Sequence, residues 1–315
     1  MEASTKMNGE VRNFPGGVWP VMLTPFCPNG EVDFTGLEKL TDWYIDNGSS
    51  GLFAVCQSSE MFHLSLEERL QVANTVVKTA AGRVPVIACG NLSEGTEDQV
   101  KEVSRMAEAG VDAVVLITNQ FASEDEDDEI WMERCRGFLK EIPADIPLGF
   151  YECPYPYKRL MSLENLKECK ETGRFFFLKD TCCDMELIEK RLEVLKGSAF
   201  KLYNANTATL LDSLRSGATG FSGVMANFHP ALYAWLCEHS KEERAGLLQD
   251  FLSMAALIER QYYPVNAKYH LQQFEGLPID TFCRKMDNKG MNETFKKEVA
   301  MLAELASVFS KHYTG

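Results

Sequence analysis

Eight short, almost wholly apolar runs recur along this chain, rich in β-branched and aromatic residues and separated by longer amphipathic stretches. They cover 18–24, 51–56, 84–89, 113–118, 147–151, 175–179, 200–204 and 219–224. A strand with one wet face alternates apolar and polar residues. A run that is apolar throughout is covered on both faces, as in a parallel sheet flanked by helices. The intervening stretches read as those helices. Asp33 stands where it can cap a helix carrying Leu37, Leu40 and Tyr44 on one face, and Ser65 precedes Glu67 and Glu68. Thr96 with Gln99 three residues later spells a capping box, and Gly48 and Gly110 sit at helix stops. Eight strand–helix units are the arithmetic of an α/β fold, the (β/α)8 TIM barrel. The rival, a doubly wound open sheet, often carries a glycine-rich turn after its first strand, whereas here that strand ends in LTPF.

After residue 224 the pattern changes, and no further strand is expected. Helical stretches run at about 230–238, 241–262, 265–273 and 292–311, broken near Pro264, Gly276 and Pro278. The expected organisation is a disordered N-terminal arm over 1–13, a barrel over 14–239 and a C-terminal helical subdomain over 240–315. The acidic run 124–129 (EDEDDE) is expected to open the fourth helix as a solvated start. A net charge of −14 argues against nucleic acid or an anionic membrane as partner, since polyanions need a basic face. No stretch reaches the roughly 18 apolar residues of a membrane span, and residues 1–13 lack the apolar core of a secretory signal. The ten cysteines form no CxxC and no zinc-spaced cluster. They read as buried reduced thiols of a cytoplasmic protein.

A barrel of this kind builds its active site from the C-terminal ends of its strands. The sixth run ends in Lys179 and the fifth in Tyr151. The second is followed by Gln57, Ser58, Ser59 and Glu60, and the seventh ends in Asn204, with Asn206 two residues on. A lysine closing an apolar strand is partly desolvated, which raises its neutral, nucleophilic fraction. Such an amine can form a Schiff base with a ketone, and a nearby tyrosine can carry the protons. Spacing alone leaves a snorkelling surface lysine about equally tenable.

Four motifs together resemble the dihydrodipicolinate synthase/N-acetylneuraminate lyase superfamily of class I, Schiff-base aldolases. GVWPVMLTPF is similar to its first strand and turn, YECP (151–154) to its YNxP motif, FLKD (177–180) to its lysine motif and GFSGVMAN (220–227) to its eighth strand. The resemblance implies that Lys179 is the Schiff-base lysine and Tyr151 the proton shuttle to the amine, the carbinolamine and the aldehyde. It also implies a pyruvate carboxylate held by the turn after the second strand. That turn reads Cys56-Gln57-Ser58-Ser59-Glu60, with both glycines of the family's GxxGE absent. Ser58 and Ser59 can still offer hydroxyl and N–H donors. Gln57 replaces a Ser/Thr that passes a proton to the tyrosine, and an amide cannot relay one as a hydroxyl does. Phe121 falls where the family has a tyrosine reaching the neighbouring subunit. Pro156 stands at the arginine position of the synthase branch, with Lys158 or Arg159 as possible substitutes.

Asn204, Asn206, Ser222 and Val224 are candidate substrate contacts; Asn206 equally suits a helix cap. Tyr155 and Tyr157 suit the pocket wall or the packing beneath it. His63 and His229 are not needed as bases. The expected function is a lyase or aldolase joining or cleaving pyruvate and an aldehyde, on a sugar-acid type of substrate rather than as a true dihydrodipicolinate synthase. It needs no metal or diffusible cofactor, because the imine on Lys179 supplies the electrophile. A Schiff-base dehydratase of a deoxy-oxo sugar acid and a catalytically silent 2-oxo-acid-binding barrel are the alternatives. A homodimer or homotetramer is implied by the resemblance.

Overall fold

The computed structural model describes residues 14–315; the expected arm over 1–13 lies outside the described residues. Eight parallel strands run β1 (Gly17–Val18), β2 (Leu52–Val55), β3 (Val86–Cys89), β4 (Ala113–Ile117), β5 (Leu148–Tyr151), β6 (Phe175–Asp180), β7 (Lys201–Asn204) and β8 (Gly220–Phe221), in the order β1-β8-β7-β6-β5-β4-β3-β2. Parallel bridges Val18–Ser49 and Val21–Phe53 join the first strand to the second and close the barrel. Regular pairing of the first run is shorter than expected because Pro20 has no N–H to donate. The strand-like pairing continues there, with the Phe53 N–H donating to the Pro20 carbonyl and the Met22 N–H donating to the Phe53 carbonyl. At Gly220 a Cβ would lie 1.9 Å from the Gly17 carbonyl oxygen, so the β1–β8 seam closes only with glycine there.

Helices α1 (Phe34–Asp46), α2 (Leu66–Ala80), α3 (Thr96–Glu108), α4 (Asp128–Glu141), α5 (Leu163–Glu171), α6 (Met185–Leu195), α7 (Leu210–Arg215) and α8 (Pro230–Glu238) follow the strands in turn. Asp33 caps α1 through the Gly36 N–H, and Ser65 with Glu68 forms a full capping box on α2. Thr96 is instead the first residue inside α3, whose cap is Gly95. The Gln99 amide turns away to the Ser93 carbonyl and Gln120. Asp127 of the acidic run caps α4, while Glu126 pairs with Arg134 and Asp128 with Arg159. The stretch expected as one helix over 241–262 divides into α9 (Ala245–Ala255) and a 3-10 segment, Ala256–Arg260. Helices α10 (Val265–Gln273) and α11 (Glu293–Tyr313) complete the C-terminal helical region. None of these helices is long and apolar enough to cross a membrane.

The barrel interior is aromatic. Phe177 packs against Trp19, Phe53 and Tyr203 at centroid separations of 5.1, 6.1 and 4.4 Å. Side chains alternate along a strand, so Lys179, two residues on, shares the inward face of Phe177. Leu178 and Asp180 then face the helices. The same alternation turns Tyr151 inward and Glu152 outward.

Candidate active site

Tyr151 and Lys179 are paired residues of β5 and β6, and Lys179 pairs in turn with Tyr203 of β7. The Lys179 ammonium nitrogen stands 4.3 Å from the centroid of the Tyr151 ring. Lys179 is 5% exposed, and no hydrogen bond or ion pair to its amine is found among the described residues. Burial holds its amine below the ordinary lysine range, partly opposed by the thiols of Cys56, Cys153 and Cys89 and by Glu259. The Tyr151 hydroxyl donates to Gln57 Oε1 at 3.2 Å. Burial and the same thiols keep that phenol well above its usual range.

The residues outside these two strands explain why the pair sits still. The outward carboxylates that follow each of them, Glu152 and Asp180, both bind Arg191 of α6, and all three side chains are fully buried. Glu152 also accepts from the Met161 and Thr181 N–H groups at 2.8 and 2.9 Å. Asp180 accepts from the Cys182 N–H at 2.9 Å. One guanidinium therefore ties the tips of β5 and β6 together behind the site. It faces two carboxylates, and burial together with the neighbouring Asp180 charge holds the Glu152 carboxyl above its ordinary range.

Above Lys179 lies a cavity of about 300 Å³, lined by residues of the barrel tips and of the C-terminal region. Of the expected residues, Gln57, Ser58, Tyr151, Lys179, Asn206 and Val224 line it. Ser59, Asn204 and Ser222, expected at the substrate, are not among its lining residues. The Ser59 hydroxyl closes its own turn, receiving the Cys56 N–H and donating to the Cys56 carbonyl. Asn204 spends its amide on Thr209 and Ser213 at 3.0 Å each and accepts from the Asn206 N–H. Ser222 donates to the Trp19 carbonyl. Asn206 serves twice: it lines the cavity while its Oδ1 accepts from the Thr209 N–H at the start of α7.

Other expected positions resolve similarly. Phe121 is buried within its own chain against Trp131, Phe138 and Phe150 rather than offered to a neighbour. Tyr155 is exposed and Tyr157 bonds the Ala122 and Asn119 carbonyls. Arg159 is committed to Asp128 and to the Ser123 and Glu126 carbonyls, so it cannot replace the missing arginine. Lys158 does line the cavity, its amine donating to the Thr181 carbonyl at 2.9 Å. His63 is exposed. His229 is buried away from this cavity, its ring held near pKa 3 by burial.

Among the lining residues that escaped the sequence reading, Thr181 and Cys183 follow β6, and four come from the C-terminal region: Glu259, Tyr263, Pro264 and Lys285. Tyr263 reaches Ser58 and accepts from the Asn227 amide at 3.1 Å, and Asn227 in turn meets Tyr44. Glu60, expected beside the carboxylate turn, points elsewhere. It adopts φ +62°, pairs with Lys268 at 3.0 Å and accepts the Arg284 and Lys285 N–H groups at 2.7 and 2.8 Å. It thereby pins the C-terminal region over the barrel mouth and sets Lys285 at the cavity. The only sequence signal for these four was the Tyr-Tyr-Pro break at 262–264, which marks a bend and not its destination.

Among the described residues no group of three or more His, Cys, Asp and Glu is placed to hold a metal ion. The sequence matches the Dihydrodipicolinate synthetase family over residues 14–303. It is 32% identical over 222 residues, 69% of this chain and 72% of the relative, to the 4-hydroxy-tetrahydrodipicolinate synthase of Jannaschia sp. (strain CCS1). It is 30% identical over 219 residues, again 69% and 72% of the two chains, to the protein of that name from Shewanella baltica (strain OS155 / ATCC BAA-1091). The fold superposes on a solved dihydrodipicolinate synthase at TM-score 0.78 and 25% identity, covering 92% of this chain and 98% of that one. It superposes on the Acinetobacter baumannii synthase solved with pyruvate at 0.81 and 23%, covering 93% and 99%. With the family's motifs carried on the family's barrel, from the first strand into the last helix, this chain belongs to the dihydrodipicolinate synthetase family and is one of its carbon–carbon lyases.

Proposed function

We propose that the protein is a class I lyase that joins or cleaves pyruvate and an aldehyde through an imine on Lys179. The observation that carries this reading is a buried strand-end lysine without an ionic partner, beside a tyrosine, at the floor of a cavity. Lys179 adds to the C2 carbonyl of the 2-oxo acid and water leaves, giving an iminium that draws the C3–C4 electron pair into an enamine. Tyr151 carries the protons of carbinolamine formation, dehydration and C3 protonation. Ser58, with the backbone of its turn, is the proposed holder of the 2-oxo acid's carboxylate, and Asn206 and Val224 contact the distal chain. The imine supplies the electrophile, so the proposal assigns no cofactor.

The proposed aldehyde half is of the hydroxylated sugar-acid kind. Pro156 offers no charge for a second carboxylate, Arg159 is engaged elsewhere, and of the two lysines at the cavity, Lys158 and Lys285, the first is held by the Thr181 carbonyl. The synthase activity in the relatives' names is the direct rival, and product analysis for 4-hydroxy-tetrahydrodipicolinate separates the two. Cytoplasmic residence and a homodimer or homotetramer are proposed on the family resemblance; sedimentation as a monomer contradicts the latter. The primary test is incubation with pyruvate and borohydride, followed by peptide mapping. A reduced adduct on Lys179 is expected. Its absence with pyruvate and with longer 2-oxo acids favours the silent, ligand-binding barrel.

A further inference from the structure

We propose that Glu259 is the acid–base group for the aldehyde half of the reaction, facing the imine across the cavity, an assignment that rests on the Lys179 imine. Glu259 lies in the 3-10 segment Ala256–Arg260 after α9 and lines the same cavity of about 300 Å³ as Lys179, Tyr151 and Gln57. It is half-buried, and no hydrogen bond or ion pair to it is found among the described residues. The fully buried Glu60, Glu152, Asp180 and Glu102 are by contrast each tied to a cation. A carboxyl enclosed beside a cavity with nothing to bind is costly unless a ligand completes it. Burial pushes it up to about 7, with Lys179 and Arg260 pulling the other way. Such a group accepts and returns protons near neutrality.

The need for a second group comes from the other side of the site. The Tyr151 hydroxyl donates a hydrogen bond to the Gln57 side-chain oxygen, and an amide relays no proton onward. Tyr151 is therefore suited to the imine nitrogen and C3 next to it, and less to an alkoxide farther along the substrate. In cleavage, the C4 hydroxyl proton passes to Glu259 and the O–H pair becomes the aldehyde C=O. The C3–C4 bond breaks, and its pair forms the enamine and neutralises the iminium nitrogen. Tyr151 then protonates C3; water hydrolyses the regenerated iminium to pyruvate and the neutral Lys179 amine, the proton this releases restores the Tyr151 phenol, and Glu259 gives its proton to solvent. Condensation is the reverse.

The test separates the two halves in the full-length enzyme. Borohydride trapping with pyruvate and solvent-deuterium exchange at pyruvate C3 read the imine and the enamine. Condensation of pyruvate with glycolaldehyde, glyceraldehyde or glyoxylate reads the aldehyde half. Glu259→Gln is expected to retain trapping and exchange within about threefold while kcat of condensation falls about 100-fold or more, with partial recovery in Glu259→Asp. Unchanged kcat, a rise in KM alone, or a parallel fall in exchange each overturns the assignment. So does a wild type that exchanges C3 yet condenses with none of the aldehydes, since no alkoxide then forms. A wild type that forms no adduct overturns the imine reading itself, and is thereby distinct from failure of Glu259 alone.

Discussion

Lys268 of α10 is 0% exposed, donates to Glu60 at 3.0 Å and to the Phe282 carbonyl at 2.7 Å, and lies over the Phe26 ring. Lys179 is nearly as deeply buried but has an aromatic ring and three thiols for neighbours, with no carboxylate bound to it. The first lysine holds the C-terminal region to the barrel. The second is held by its surroundings in a form that can react. A buried cation with a bonded carboxylate is a structural element whose loss strands a charge. A buried amine without one is driven toward neutrality, and the fold forgoes stability to keep it there. The two thus separate cohesion from chemistry within one chain.

The widest expected separation is in turnover. Lys179→Ala should reduce condensation or cleavage by at least about 10³-fold and abolish borohydride trapping while the circular dichroism spectrum stays native. Lys268→Met should trap pyruvate normally per folded molecule. Next comes stability. Glu60→Gln or Lys268→Met alone should cost about 3–5 kcal/mol in urea unfolding, because each leaves a buried partner uncompensated. The double variant should recover a large part of that loss. Additive losses would show that the pair does not act as a unit. Tyr151→Phe should lower kcat by about 10²-fold while leaving the amine able to form an adduct. Loss of trapping equal to that of Lys179→Ala would make the tyrosine part of the nucleophile's activation instead.

The smallest and most diagnostic effect is opposite in sign for the two lysines. Since burial lowers the Lys179 amine, the unfolded chain binds its proton more readily than the folded one. The resulting destabilisation is full below the lowered value and disappears as pH rises past the ordinary lysine value of about 10.4. Lys179→Met should therefore be more stable than the wild type near neutrality, by about 0.5–2 kcal/mol, with the gain shrinking toward pH 10–11. Lys268→Met should be destabilised at the same pH. A Lys179→Met variant less stable than the wild type at pH 7 would break the contrast.

Much of the site was legible because it lies on strands. Continuous apolar runs place parallel strands, and the residues ending them must reach one rim, so Lys179 and Tyr151 could be brought together from sequence. The same alternation also contained a signal that the sequence reading did not use. Asn204 is the register partner of Asp180 and follows the inward Tyr203, so it faces the helices, where it binds Ser213. Ser59 and Ser58 are adjacent and chemically identical. Only the 3-10 turn decides that one hydroxyl bonds its own backbone and the other meets the cavity. Phe121 looked like an interface residue by position, but nearby aromatics give it more apolar contact inside its own chain.

What the sequence determined by itself is the repeating unit and its consequences. Continuous apolar runs and helix caps define eight strand–helix units, and closure of those units brings a lysine and a tyrosine to adjacent positions. These are local rules, readable within a few residues of where they act. What the tertiary structure decided is the far side of the cavity and the backing of its floor. Glu60 meets Lys268 from 208 residues away, and Arg191 gathers carboxylates from two strands. Glu259 and Tyr263 arrive by a bend whose landing place no nearby residue encodes. Such contacts depend on where the completed barrel leaves space and unanswered charge. They are set by the packing of the whole molecule, not by the pattern of any one segment.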